Sequence, residues 1–219
     1  MSLAHGEQIS AAASHEDHAE LGREYNWWGM IFFICSEALI FANLLAAYLY
    51  LEIRGVQPGG SPWLLDGDKW LPLLPIVIPN TFILLASSFP AIYARRSIQR
   101  GNQRGLVMGL LGAIILGAIF LGGQVYEYFT LIVQEKFDIT TGSFGSAFFT
   151  LTGFHGLHVF IGLIFLVICL IRALRGDFSA KKHFAVEAGE MYWHFVDGVW
   201  IFVFTTVYIV QLVLQAGKF

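Results

Sequence analysis

Five long apolar runs dominate the chain, at about residues 25–52, 71–95, 105–134, 143–172 and 186–216, each separated from the next by a short polar stretch. A helix rises about 1.5 Å per residue, so each run is long enough to cross about 30 Å of hydrocarbon with some tilt. Inside a bilayer every backbone polar group must be satisfied within the chain, which leaves helices as the form for runs of this length. The expected fold is therefore all-α, an integral membrane bundle of five transmembrane helices over residues 25–217. Only 13% of residues are charged against 56% hydrophobic, well below the roughly 25% charge of soluble domains. The net charge of −3 gives no nucleic-acid signal.

Each run carries its own marks. Trp27 and Trp28 open the first as an interfacial aromatic anchor. The second contains Pro72, Pro75, Pro79 and Pro90, tolerable where Asn80, Ser87 and Ser88 re-satisfy freed carbonyls. The third carries Gly109, Gly112, Gly117, Gly122 and Gly123, which allow close backbone approach in lipid. Cys35 and Cys169 fall inside apolar runs without a Cys-x-x-Cys pattern, so both are expected to be buried free thiols. Residues 1–24 are polar, with His5, His15 and His18 among acids. They lack the apolar core of a signal peptide and are expected to form a disordered, solvated, cytoplasmic tail rather than a metal site. No internal repeat is visible.

Lys and Arg set the orientation. The second and fourth loops hold Arg95, Arg96, Arg100, Arg104, Arg172, Arg175, Lys181 and Lys182, whereas the first and third hold only Arg54, Lys69 and Lys136. Positive loops face the cytoplasm, so the N-terminus is expected inside and the C-terminus outside. Arg95, Arg96 and Arg172 then stand where anionic lipid head groups lie, as candidates for binding them.

Ionisable residues within the runs are the functional candidates, since each costs about 2.5–3.5 kcal/mol at mid-membrane unless paired. They are Glu37, Glu127, His155, His158, Glu190, His194 and Asp197, with Gln124 beside them. Glu37 lies about 18 Å along its helix from Tyr25, near mid-membrane. His155 and His158 share a helix face, as do His194 and Asp197. A carboxylate–histidine metal site is one reading of such a set. Depth divides it, however: Glu127 lies about 10 Å from the external end of its run, the histidine pair about 18–22 Å from theirs, and His194 and Asp197 about 12–16 Å from the cytoplasmic end. Two polar groups are expected instead, Gln124–Glu127–His155 and Glu37–His158–His194–Asp197. Neither has a Cys or Met ligand pattern, and interhelical hydrogen bonds account for them without a metal.

Phe144-Gly145-Ser146-Ala147-Phe148-Phe149, Gly153-Phe154-His155-Gly156-Leu157-His158 and Tyr192-Trp193-His194-Phe195-Val196-Asp197 with Val199-Trp200 resemble subunit III of the haem–copper oxidases. So do Ser36-Glu37 with Phe41, Asn80-Thr81 with Leu84-Leu85-Ala86-Ser87-Ser88, Glu127-Tyr128 and His183-Phe184, in the same order along residues 25–215. The chain resembles the five-helix form, lacking the first two helices of seven-helix members. The resemblance implies a non-catalytic subunit of a proton-pumping terminal oxidase in aerobic respiratory electron transport. It would carry no cofactor; haem and copper would belong to subunits I and II. It would pack on subunit I, bind phospholipids in its bundle and support proton uptake and sustained turnover. By resemblance, Glu37 is the family's intramembrane carboxylate, His155, His158, His194 and Asp197 its buried polar residues, and Arg172 a lipid-facing cation. Ser36-Glu37 and Gly153-Phe154-His155 look more like the cytochrome c branch, in which cytochrome c is the electron donor, than the ubiquinol branch, which tends toward Asp after that Ser and Thr before that His. The expected location is a bacterial plasma membrane or an internal respiratory membrane. An independent transporter is the reading from another class, and it would be expected to show inverted repeats.

Overall fold

The computed structural model describes the backbone of residues 2–56 and 74–216, and side chains within 24–55 and 75–213. All described elements are helical: α1 (Ser2–Val56), α2 (Leu74–Gln99), α3 (Gln103–Phe129), α4 (Gly142–Leu174), α5 (Phe184–Phe204) and α6 (Val210–Ala216). Five helical segments, 24–55, 75–99, 103–134, 142–174 and 184–213, are long and apolar enough to cross a membrane. The chain is thus an all-α, multi-pass membrane protein. Pro72 and Lys69 lie outside the described residues.

Two single π-helical turns, Thr130–Gln134 after α3 and Thr205–Ile209 between α5 and α6, were not foreseen from the sequence. A wider turn re-aims the side chains that follow it, and one of these is Tyr208. Helix α1 begins at Ser2, where a disordered tail is expected. Ala4, Ala11, Ala12, Ala13 and Ala19 are strong helix formers, and no Pro interrupts them.

The chain divides into two compact units, residues 1–37 and 38–219. In the first, the Trp27 and Trp28 rings meet edge to face at 5.6 Å and both are exposed. Ser36 returns its hydroxyl to the Phe33 carbonyl at 2.7 Å. Cys35 is exposed, contrary to the buried thiol expected.

In the second unit, helices α2 to α5 close a ring in which each touches two neighbours, α2 on α3, α3 on α4, α4 on α5 and α5 on α2. The loops are shorter than the sequence suggests, because Arg95 and Arg96 complete α2 and Arg104 starts α3. Gly101 (φ 73°) and Gly176 (φ 79°) end α2 and α4 in the left-handed conformation. Each is followed by an N–H reaching five residues back, Asn102 to Ser97 and Asp177 to Arg172. This is the Schellman stop that glycine favours. Asn102 then caps α3 by accepting from Gly105 N at 3.0 Å. The α2–α3 contact is close because glycine faces it: a Cβ on Gly109 would stand 2.6 Å from the Pro90 carbonyl and one on Gly123 2.6 Å from Asn80. Asn80 spends its amide on the Phe120 carbonyl of α3 at 3.0 Å, and Ser87 its hydroxyl on Leu84 O at 2.6 Å. Neither bonds the carbonyl four residues before Pro79 or Pro90, as was expected of them.

Both basic turns, 100–102 and 175–183, lie at one end of the ring, where the Gln103 amide also bonds the Ala173 carbonyl. At the opposite end, Asp138 accepts from Thr140 N at 2.8 Å and from the hydroxyls of Thr140 and Thr141. These bonds favour the charged form and hold its carboxyl below the usual range. Residues 38–56 of α1 lie against α4 and α5 through Phe41, whose ring is 4.8 Å from His158 and 6.3 Å from Phe195.

Candidate functional site: two polar clusters and an apolar cleft

A polar seam joins α2 to α5. The two helices run antiparallel, and Thr81, Ser88 and Arg95 recur every seven residues, so they stay on one face. Thr81 accepts from Trp200 Nε1 at 3.0 Å and Ser87 from Trp193 Nε1 at 2.8 Å. Ser88 donates to Asp197 Oδ2 and lies 3.1 Å from His194 Nδ1. Its one proton goes to Asp197, so His194 Nδ1 supplies the proton to Ser88 Oγ. His194 Nε2 lies 3.6 Å from Glu190 Oε1, and Arg95 Nε is 2.5 Å from Glu190 Oε2. A ladder Asp197–Ser88–His194–Glu190–Arg95 therefore climbs from the interior to the basic end. Asp197 and Glu190 are buried, and Arg95, 38% exposed at its side chain, reaches outward.

A second cluster sits toward the opposite end. Tyr208 donates to Glu127 Oε1 at 2.6 Å, and Gln124 Nε2 reaches Glu127 Oε2 at 3.4 Å. Beside it, Gln211 donates to Glu52 Oε1 at 2.7 Å and to Tyr48 Oη at 3.4 Å. Tyr208 rests on Phe148 and Tyr48 on Phe144, neighbours in one aromatic platform. The π turn at 205–209 carries Tyr208 to Glu127.

The structure regroups the expected sets. Gln124 and Glu127 meet as expected, but His155 hydrogen-bonds to neither. It is fully buried against Trp200, with ring centroids 4.7 Å apart. His194 and Asp197 meet through Ser88. His158 Nδ1 faces the Phe154 carbonyl of its own helix at 2.8 Å, and its backbone carbonyl accepts from Tyr192. Glu37 is half-buried and belongs to the first unit. Glu190, expected in the buried set, joins the ladder, and Arg95 is its ion-pair partner rather than a free head-group cation. Arg172 pairs with Asp177 at 3.4 Å and covers the Phe178 ring; Arg96 is exposed. Among the described residues no group of three or more His, Cys, Asp or Glu is arranged to hold a metal. The sequence reading missed Tyr48, Glu52, Tyr208 and Gln211. Tyr208 and Gln211, three apart in an apolar run, were the available signal, as was the seven-residue recurrence of Thr81, Ser88 and Arg95.

An apolar cleft of about 430 Å³ opens between residues 38–45 of α1 and α5, lined by Phe41, Leu45, Leu151, Phe195, Val199 and Phe202 among others.

These features define a multi-pass helical membrane protein whose polar residues tie helices together inside the bundle. Residues 2–211 match the family model described as cytochrome c oxidase subunit III. The chain belongs to that family. Among relatives, cytochrome c oxidase subunit 3 of Loxodonta africana is 40% identical over 193 residues, 87% of this chain and 72% of the relative. The Homo sapiens protein of the same name is 42% identical over 183 residues, 83% and 68% of the two chains. That of Thermostichus vulcanus is 40% identical over 194 residues, 88% of this chain and 91% of the relative.

Proposed function

We propose that this chain is the accessory subunit III of a proton-pumping cytochrome c oxidase. It carries no redox centre, packs on subunit I of a complex whose haem and copper belong to subunits I and II, and helps sustain proton uptake and turnover. The family match across nearly the whole chain carries this reading. The relatives' shared name favours cytochrome c over ubiquinol as donor of the whole complex. The orientation follows the basic end, which faces the cytoplasm by the positive-inside rule, in a plasma or internal respiratory membrane. The apolar cleft beside Phe41 is of a kind that takes phospholipid acyl chains, and Arg96, exposed at the basic end, is placed for a head-group phosphate. Purification tests the reading: a tagged chain extracted in mild detergent is expected to bring a haem–copper subunit with it. A monodisperse chain that transports a solute when reconstituted alone would instead establish the transporter reading.

Glu37 is proposed as the intramembrane carboxylate of functional weight. Glu37→Gln keeps the shape and removes the charge. The variant complex is expected to assemble in normal yield but to inactivate severalfold sooner during turnover, or to take up protons more slowly. Turnover lifetime and stopped-flow proton uptake both unchanged would remove Glu37 from the functional set.

A further inference from the structure

His155 is fully buried, and neither ring nitrogen meets a hydrogen-bonding partner in the protein. Its surroundings are aromatic: Trp200 at 4.7 Å, Phe120 at 6.1 Å and Phe41 at 6.3 Å between ring centroids. Among the described residues, four more buried polar atoms have no hydrogen-bond partner, Arg95 Nε, Gln211 Oε1, Gln124 Oε1 and Asp197 Oδ1, and the last two lie on the helices beside His155. Their places follow from the helices. The Phe120 and Trp200 rings lie 5.0 Å apart, which sets α3 and α5 level at that point, and both helices run away from the basic end. Gln124 follows Phe120 by four residues on the same face, about 6 Å farther from the basic end. Asp197 precedes Trp200 by three, about 4.5 Å nearer to it. His155 lies between them in depth.

Direct bonding does not resolve these three groups. A neutral imidazole has one donor and one acceptor nitrogen, whereas Gln124 Oε1 and Asp197 Oδ1 only accept. Whichever of them His155 faced with its N–H, its other nitrogen would confront a second acceptor. Water, with two protons to give, resolves the conflict. One molecule accepts from the imidazole N–H and donates to the oxygen on that side. A second donates both to the other nitrogen and to the remaining oxygen. Each then has two protein partners, the number a buried water needs.

We propose that His155 holds two internal waters, one on each ring nitrogen, bridging to Asp197 on one side and to Gln124 on the other. His155 thereby joins the Arg95–Glu190–His194–Ser88–Asp197 ladder to the Gln124–Glu127–Tyr208 cluster. The bundle then contains one path of hydrogen bonds and ion-pair contacts from its basic end toward the opposite end, walled by Phe41, Phe120 and Trp200 at its middle.

The opposing picture is a dry aromatic plug, and the two differ in sign. His155→Phe preserves a ring against Trp200 and deletes both nitrogens. In a dry plug it removes two unsatisfied atoms, so stability is unchanged or raised. With bridging waters it strands Gln124 and Asp197, so the purified assembly containing the chain melts at lower temperature and releases the chain sooner. An electron cryomicroscopy map of the unmodified assembly, at a resolution that shows ordered water, gives an independent reading: density is expected at hydrogen-bonding distance from both ring nitrogens. An unchanged or raised melting temperature in the variant overturns the proposal, and so does a map with carbon atoms alone around the imidazole.

Discussion

Gly117→Val is expected to keep most of the chain out of a stable assembly. Trp193 is fully buried and edge-bonded to Ser87, with its indole lodged in a slot between α3 and α4. A Cβ on Gly117 would stand 2.6 Å from that ring and 3.0 Å from Leu163, and one on Gly162 would meet the ring at 3.0 Å from the other side. The indole cannot retreat without leaving Ser87, and α3 cannot shift without losing its glycine contacts with α2. Overpacking a well-filled core costs about 1–3 kcal/mol and sometimes more, and two β-branched methyls at such a distance belong at the upper end. Gly122→Val is the matched control, since nothing lies within 4 Å of a Cβ there. Detergent-extracted yield and melting temperature should fall sharply for position 117 and stay near normal for 122. Equal behaviour of the two would show that the slot around Trp193 is not tight.

Asp197→Leu should weaken assembly by loosening the seam between α2 and α5. Leucine fills similar space but gives Ser88 no acceptor, and Ser88 is the atom through which His194 is held. A buried polar group left unpaired costs about 1–3 kcal/mol, although interhelical bonds in membranes measure nearer 0.6–2 kcal/mol. Asp197→Asn keeps an acceptor oxygen and should restore most of the loss. The diagnostic pattern is therefore Leu impaired and Asn near normal, read as subunit retained after extraction and as melting temperature. Full retention of the Leu variant would show that Asp197 is no tie between helices. An equal loss in Asn and Leu would show that the charge matters rather than the bond.

The spans were legible because lipid solubility is a property of composition, and a run of 25 apolar residues has few alternatives to a helix. Gly109, Gly112, Gly117 and Gly123 of the third span were legible as close-approach residues for the same local reason, whereas Gly122 faces open space. Partners were less so. Depth arithmetic placed Glu127 beside Gln124 and set His194 and Asp197 apart from it, because rise along a helix is fixed. It did not find Tyr208, whose direction depends on a π turn that no residue pattern announced. Arg95 and Glu190 also escaped pairing, since a cation near a helix end reads equally well as a lipid ligand. That His155 has no hydrogen-bonding partner in the protein is visible only when three helices are seen around it.

The tight α2–α3 hairpin bears on how the chain is made. Only residues 100–102 separate the two helices, and their contact extends from Gly105 on Ser97 to Gly123 on Asn80. Closing so short a loop costs little chain entropy, and contacts near in sequence form before distant ones. The hairpin is thus the part of the chain able to reach its final packing while α4 and α5 are still being synthesised. Thr81, Ser88 and Arg95 would then already stand along one edge of a finished pair, a template on which Trp200, Asp197 and Glu190 find their register as the last span enters the membrane.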